Sequence, residues 1–361
     1  MKPFILALAT ALPQYSLDQA DIAKKISQVL DLNENHTQFL QKLYCKTQIK
    51  RRYSVLKDIQ ESVENSEFFT KDFLKKIPRT SQRNKIYIKE APKLALKAAQ
   101  EAIKNWQQDP KEITHVISVS CTGVMAPGIE LILQQELKLL PNAERIGINF
   151  MGCFGAFRGL AVASALAKEN PNNRILLVCT ELCSLHFQVS FQTDVLIGNA
   201  LFSDGAAAAI IGSKPKNTEN AICSIEKTGS FALENTRDKM TWTISDHGCV
   251  MSLNKEIPSI IEKNTPTFLK SFLNTDNFNN FSWAIHPGGK SIIEAMEKSC
   301  NLTKEQTKSS WNVLNNYGNM SSSTFLFVLE DLLKENKKEK DIIGIGFGPG
   351  LSIETILLSK A

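Results

Sequence analysis

Three short segments carry residues whose types can do nucleophilic chemistry. Asn149-Phe150-Met151-Gly152-Cys153-Phe154-Gly155-Ala156-Phe157 follows an apolar, strand-like run, Ile146 to Phe150, and opens an Ala/Leu-rich helical pattern. Such a strand-turn-helix puts Cys153 at a helix N-terminus, where the dipole and unpaired N–H groups favour the thiolate, the reactive form. Glycines on both sides let the backbone turn sharply and leave the sulfur open. Ala284-Ile285-His286-Pro287-Gly288-Gly289 ends a strand with a histidine. Against the Cys153 sulfur, His286 can hold a thiolate–imidazolium pair, although an unperturbed thiol titrates at about 8.5. Its plainer role is a strand-end histidine bonded within a turn. Tyr317-Gly318-Asn319-Met320-Ser321-Ser322 puts an asparagine at the start of another helix. There the carboxamide either caps the helix or donates to an oxygen on which negative charge develops.

Length and composition frame these segments. A chain of 361 residues, 43% of them hydrophobic, can bury a large core as one big domain or two closely packed halves. Its 42 basic and 37 acidic residues leave a net charge of +5, too mild to imply nucleic acid, although a local basic cluster can still meet an anionic substrate. The eight cysteines are scattered without a CxxC pair, and Cys179 and Cys183 lack a second ligand pair nearby. No metal site is expected, and reduced thiols in a cytoplasmic protein are the simpler reading. The start, Met1 to Pro13, imitates a short signal peptide, but its basic region is thin and residues 4–9 read as a first strand. No run of about 18 apolar residues occurs, so no transmembrane helix is expected.

Strand-like and helix-like patterns alternate, which reads as an α/β protein. Helices are predicted around 20–30 and 35–45, and over 80–106, where Pro92 should kink or break the helix. Strands are predicted at 115–120, 146–150, 174–180 and 206–212, with helices at 128–137 and 154–168 between them. The polar run 214–220 reads as a connection, which gives halves 1–220 and 221–361. The second half repeats the first in outline. It has a strand at 283–286, a helix at 289–298, a strand at 310–312 leading to the Gly318-Asn319 turn and its helix, and strands at 341–346 and 352–358. Cys153 and Asn319 then occupy equivalent turns and can aim two helix N-termini at one central site.

The chain resembles the type III polyketide synthases, the chalcone and stilbene synthase-like family on the thiolase fold. The resemblance rests on the Cys153 turn, Leu201-Phe202-Ser203-Asp204-Gly205-Ala206-Ala207-Ala208, the His286-Pro287-Gly288-Gly289 turn, Gly318-Asn319-Met320-Ser321-Ser322 and Gly346-Phe347-Gly348-Pro349-Gly350-Leu351. These five blocks stand in the family's order from about Phe4 to the C-terminus. The resemblance implies a five-layer αβαβα architecture in two similar halves, a homodimer, and no cofactor beyond CoA thioesters as substrates. It also implies that Cys153, His286 and Asn319 act together on an acyl-CoA starter and malonyl-CoA. The cysteine accepts the acyl group. The histidine and asparagine bind the malonyl thioester carbonyl and stabilise the enolate left when carbon dioxide departs. The enolate attacks the acyl-cysteine in a Claisen condensation.

The same resemblance implies positions around that centre. Phe202 matches one of two aromatic gatekeepers between the CoA tunnel and the cavity. The second position falls on Met251, where plant enzymes usually carry phenylalanine; a flexible methionine loosens that wall. Lys46 matches a CoA-binding lysine, Lys42 replaces an arginine, and Phe39 stands where another lysine is usual. Gly288 and Gly289 are expected to let the CoA substrate approach closely, and the loop from Gly346 to Leu351 to line its pantetheine arm. Thr122, Ala126 and Cys183 match cavity positions near the dimer interface, with Leu185, His186 and Ser321 beside them. Plant enzymes carry methionine where Ala126 stands. The Thr-Ala-Cys combination resembles the microbial branch that accepts long acyl chains in an extra hydrophobic tunnel and releases alkylpyrone or alkylresorcinol-type products. Compensating packing by Leu185 and His186, both larger than the plant residues, is the alternative. Two other readings stay open: the same chemistry on a small or aromatic starter, and a ketoacyl synthase III-type condensing enzyme. The latter typically has His-Gln-Ala-Asn where this chain has His286-Pro287-Gly288-Gly289. A biosynthetic thiolase would carry a second cysteine near the C-terminal glycine loop, which this chain lacks.

Overall fold

A computed structural model describes residues 1–190, 192–335 and 341–360. The first half runs β1 (Pro3–Ala11), β2 (Tyr15–Asp18), α1 (Gln19–Val29), α2 (Glu34–Lys46), β3 (Arg51–Ser54), α3 (Thr80–Trp106), β4 (His115–Ser120), α4 (Ile129–Glu136), β5 (Glu144–Asn149), α5 (Gly155–Glu169), β6 (Arg174–Leu182), α6 (Thr193–Leu201) and β7 (Asp204–Ser213). The second runs β8 (Cys223–Ala232), β9 (Met240–Ser245), β10 (Gly248–Leu253), α7 (Ile257–Leu273), β11 (Ser282–Ile285), α8 (Lys290–Cys300), α9 (Lys308–Tyr317), α10 (Thr324–Lys334), β12 (Ile342–Gly348) and β13 (Ser352–Lys360).

Nine strands join in the order β11-β12-β13-β8-β1-β7-β6-β4-β5. The two halves repeat one pairing scheme. β4 pairs with β6 in parallel, and β6-β7 and β7-β1 are antiparallel. Likewise β11 pairs with β12 in parallel, and β12-β13 and β13-β8 are antiparallel. The halves meet where β1 pairs with β8 through Phe4 and Ile5.

The layers follow from strand alternation, because successive side chains point to opposite faces. Leu176 and Val178 of β6, with Ala206, Ala208 and Ile210 of β7, pack with the Ala/Leu face of α3. Their neighbours Ile175, Leu177, Ala207, Ala209 and Ile211 pack with α5 and α10. In the second half Ile342, Ile356 and Leu358 join that central cluster, while Ile343, Ile345 and Ile353 pack with α7 and α8. Helices therefore lie outside each half and between them, an αβαβα arrangement. In the middle layer the rings of Phe157 on α5 and Phe325 on α10 lie 4.1 Å apart, which locks the two central helices together.

Two expectations about elements are narrowed or corrected. Of the kink or break expected at Pro92, the break does not occur: α3 runs on over 27 residues with the proline inside it. Its buried face, Ala91, Leu94, Ala95, Ala98, Ala99 and Ala102, lies on the sheet and outweighs one lost backbone bond. The strand expected at 310–312 is part of α9. Ser309, Ser310, Val313 and Leu314 are buried, a helical repeat that the short apolar run disguises. The repeat between the halves is thus incomplete: among the described residues β5 has no counterpart in the second half. No helix among the described residues is long and apolar enough to cross a membrane.

Candidate active site

Cys153 lies in a 3₁₀ turn, Gly152–Phe154, that leads directly into α5. Gly152 has φ +75°, and a Cβ there would stand 2.4 Å from Pro349. Only glycine serves both demands, so the turn is clamped against the loop that joins β12 to β13. The Gly152 N–H also donates to the Cys121 sulfur at 3.0 Å. Helix α5 in turn sits close on the sheet: a Cβ on Gly159 would stand 2.6 Å from Leu177. The cysteine is therefore held by rigid elements on both sides.

Asn319 reaches the same point from the second half. α9 ends at Gly318, with φ +72°, and Asn319 then pairs with the end of α6. Its N–H donates to the Leu201 carbonyl at 2.9 Å, and its own carbonyl accepts from the Ser203 N–H at 2.8 Å. The Oδ1 accepts from the Ser321 N–H at 2.8 Å and from the Thr324 hydroxyl at 3.4 Å. Those donors fix the amide orientation and turn Nδ2 inward. There it stands 3.9 Å from the Cys153 sulfur and donates to the Gly288 carbonyl at 3.2 Å. One amide group thus links the cysteine turn to the turn that follows His286. Ser321 has a left-handed φ of +51° and a hydroxyl bonded to Cys153, a strained position of the kind that collects at functional sites.

His286 ends β11, with its N–H bonded to Ile345. Its ring is buried, and neither Nδ1 nor Nε2 has a hydrogen-bond partner. A neutral imidazole must carry one N–H, so the site holds a buried donor and acceptor that cost about 1–3 kcal/mol each until a ligand meets them. The thiolate–imidazolium contact expected between His286 and Cys153 is absent. Burial pushes the Cys153 thiol up to about 11, against the pull of the Ser321 hydroxyl and the Asn319 amide. Burial also pushes His286 down to about 3. Complete desolvation penalises both charged forms and so favours the neutral thiol and the neutral imidazole. A Cβ on Gly288 or Gly289 would meet its nearest protein atoms at 3.4 Å, an ordinary contact, so packing does not require these glycines.

The depressed His286 value has a thermodynamic consequence. The unfolded chain takes up a proton near pH 6.5, whereas the folded site resists it down to about pH 3. Stability from keeping His286 neutral is full above about pH 6.5 and is lost as pH falls through that window. His186 adds a second such group, pushed down to about 4 by burial. His286→Gln should therefore flatten the fall of unfolding free energy between pH 6.5 and 4.5 by about 1.4 kcal/mol per pH unit. Urea midpoints at several pH values measure this, and parallel curves for the two proteins would contradict a neutral buried His286.

The remaining expected residues separate into three groups. Phe202, Met251, Cys183 and His186 line one cavity with Trp242, next to the cysteine turn. Phe202 is tied to the site by its bridge to Asn319. His186 accepts from the Cys249 N–H at 2.9 Å through Nδ1, which leaves Nε2 to donate to the Thr122 carbonyl at 2.8 Å. Thr122 itself does not border that cavity; its hydroxyl donates to Glu181 at 2.8 Å. Leu185 also turns away, packed in the core beside α3. Ala126 is exposed on a surface groove with Val124, Met125, Asn149 and Phe150. Within one copy of the chain it does not meet Cys183. Lys42 and Lys46 are exposed one turn apart on α2, and Tyr44 between them is buried against the cavity.

Two residues of the site escape sequence reasoning. Glu181 is fully buried on β6 and accepts from the Cys121 N–H at 3.0 Å, Thr122 at 2.8 Å and Ser322 at 2.5 Å. Burial raises its carboxyl, and its charge pushes Cys153 upward. A lone acid within the apolar run from Ile175 to Leu185 is the signal that marks it. Trp242 donates to the Cys121 carbonyl at 2.9 Å and stacks edge-on against His186. Nothing in its local sequence shows that it faces the site.

Comparison with known proteins agrees with this fold. The family profile "Chalcone and stilbene synthases, N-terminal domain" matches residues 2–215, and "Chalcone and stilbene synthases, C-terminal domain" matches residues 225–361. "Type III polyketide synthase A" of Arabidopsis thaliana is 31% identical over 99% of this chain and 92% of its own length. "Probable polyketide synthase 1" of Dictyostelium discoideum is 32% identical over 99% of this chain, which spans only 11% of that protein. Among solved structures, the C-terminal type III polyketide synthase domain of Steely1, a type I/III hybrid from Dictyostelium, superposes with a TM-score of 0.93 at 30% identity, covering 100% of this chain and 99% of that one. PKS-I from the brown alga Ectocarpus siliculosus gives 0.92 at 29%, covering 100% and 98%. The chain belongs to the chalcone and stilbene synthase family, the type III polyketide synthases. It is a condensing enzyme of that kind, an acyltransferase that uses CoA thioesters.

Proposed function

We propose that the chain loads an acyl starter on Cys153 and extends it iteratively with malonyl-CoA, with His286 and Asn319 as its partners. The observation that carries this reading is the Asn319 amide held 3.9 Å from the Cys153 sulfur beside an imidazole with two unpartnered nitrogens. In the loading step His286 takes the thiol proton as sulfur attacks the thioester carbonyl, and the departing CoA thiolate takes that proton back. Neutral groups suit this exchange, since neither needs a stable charge in a desolvated site. For extension, the Asn319 amide and the imidazole N–H donate to the malonyl thioester oxygen. Loss of carbon dioxide leaves its bonding electrons as an enolate that these donors stabilise. The enolate carbon then bonds to the acyl carbonyl, and the Cys153 sulfur leaves. On this reading Phe202 and Met251, which line the cavity, are its gatekeepers, and the exposed Lys42 and Lys46 meet CoA phosphates.

We further infer that the starter is a medium- or long-chain fatty acyl group, giving alkylpyrone or alkylresorcinol-type products. Support comes from the apolar cavity that Phe202 and Met251 line. The exposed Val124, Ala126 and Phe150, with the half-buried Met125, supply an apolar face for a homodimer, and we read the protein as cytoplasmic, built from halves 1–220 and 221–361. Mass spectrometry of products from acetyl-, hexanoyl-, palmitoyl- and an aromatic acyl-CoA with malonyl-CoA tests the starter. Palmitoyl-CoA should give polyketide with a kcat/KM at least equal to that of acetyl-CoA. Turnover confined to acetyl- or aromatic starters would replace this reading with the small-starter one.

A further inference from the structure

The cavity that Cys183, Phe202 and Met251 line does not end at those residues. It continues beneath α1 to Ile22, Ile26 and Phe69 and encloses about 840 Å³ of empty space, its mouth included. None of the far-end residues belongs to a segment that condensation chemistry needs.

The polar groups along this cavity are already engaged. Arg52 donates to Gln19 and to the carbonyls of Asn199 and Phe202, at 2.7 to 2.9 Å. Ser54 bonds Ser184, which also bonds Asp204. Both ring nitrogens of His186 are paired. At the far end the Lys25 ammonium is bonded to the carbonyls of Asp58 and Glu61 and to Ser66, so only its methylene stem is left to line the wall. What a guest meets is mostly carbon. A pantetheine arm would bury two amides there without partners, an unfavourable exchange. An extended alkyl chain fits a slot of this kind and gains from leaving water. The slot borders the reaction centre: Phe202 on its wall is bridged to Asn319, and Cys183, also on its wall, lies within electrostatic reach of Cys153. Ala126 is not part of its wall.

We propose that the alkyl tail of the Cys153-bound acyl group lies in this slot beneath α1, and that Ile22, Ile26 and Phe69 set the tail length the enzyme uses. This rests on the reading that Cys153 carries a fatty acyl starter, and it moves the tail from the Ala126 side to the α1 side.

The test compares kcat/KM for palmitoyl-CoA and acetyl-CoA in the wild type, Ile26→Phe, Ile22→Phe and Ala126→Met, with thermal unfolding of each. Overfilling the slot should lower the palmitoyl-to-acetyl ratio by about tenfold to a hundredfold in Ile26→Phe and Ile22→Phe. A second measurement needs no slot variant. Amide hydrogen exchange in α1 should slow when wild-type Cys153 is loaded from palmitoyl-CoA, and not when it is loaded from acetyl-CoA. If the wild type uses acetyl-CoA but not palmitoyl-CoA, the fatty-starter reading fails and the slot assignment falls with it. If the wild type uses palmitoyl-CoA while α1 exchange and the ratios in both α1 variants stay at wild-type values, the slot assignment alone is overturned. A fall in the ratio confined to Ala126→Met likewise overturns it.

Discussion

Cys153→Ala should abolish polyketide formation and leave the fold intact. The sulfur is the atom that forms the thioester, and alanine keeps the small buried volume at the head of α5. Removing the nucleophile of a cooperating set costs on the order of 10⁶ in turnover. The neighbouring thiols cannot substitute. Cys121 is bonded to Gly152, and burial holds both Cys121 and Cys183 well above the ordinary thiol range. Thermal unfolding should stay close to wild type, because the turn is held by Gly152 against Pro349 rather than by the sulfur. A Cys153→Ala protein that still makes polyketide would remove the cysteine from its assigned role.

Asn319→Ala should impair malonyl decarboxylation more than starter loading. The amide nitrogen points at the sulfur from a backbone tied to Leu201 and Ser203, so the loss falls on a donor and not on the frame. Losing one such donor typically costs about 2.7–4 kcal/mol in the transition state, a 10²- to 10³-fold fall in rate. Loading depends chiefly on Cys153 and His286 and should fall less. The two rates can be read separately, as carbon dioxide release from malonyl-CoA and as a single-turnover CoA burst from the starter. Equal losses in both would mean that Asn319 mainly holds the Ser321 turn through its Oδ1 bonds.

Much of this was readable along the chain wherever local rules decide. The glycine-flanked turn at Cys153, the apolar runs of β6 and β7, and the strand end at His286 are short-range patterns, and the structure has them in place. The strand expected at 310–312 fails for a physical reason. Three residues cannot distinguish a period of two from one of 3.6, and the burial of Ser309, Ser310, Val313 and Leu314 settles α9 only in three dimensions. The charge state of the pair was also beyond reach. A helix N-terminus favours a thiolate, but the depth at which Cys153 and His286 lie opposes it, and depth is a tertiary property. The α1 wall of the cavity, Trp242 and the partners of Glu181 come from segments distant along the chain. Ala126 shows the converse. Its identity was legible, but its exposed position on one copy of the chain was not.

The most direct test of the central claim is to find where the acyl group goes. Protein incubated with palmitoyl-CoA and no malonyl-CoA, then quenched in acid and digested, should carry one palmitoyl group as a thioester on the peptide that contains Cys153. Subsequent malonyl-CoA should discharge it. Cys153→Ala treated in the same way should show no adduct. A palmitoyl group on another cysteine, or turnover from palmitoyl-CoA without an adduct on Cys153, would contradict the account.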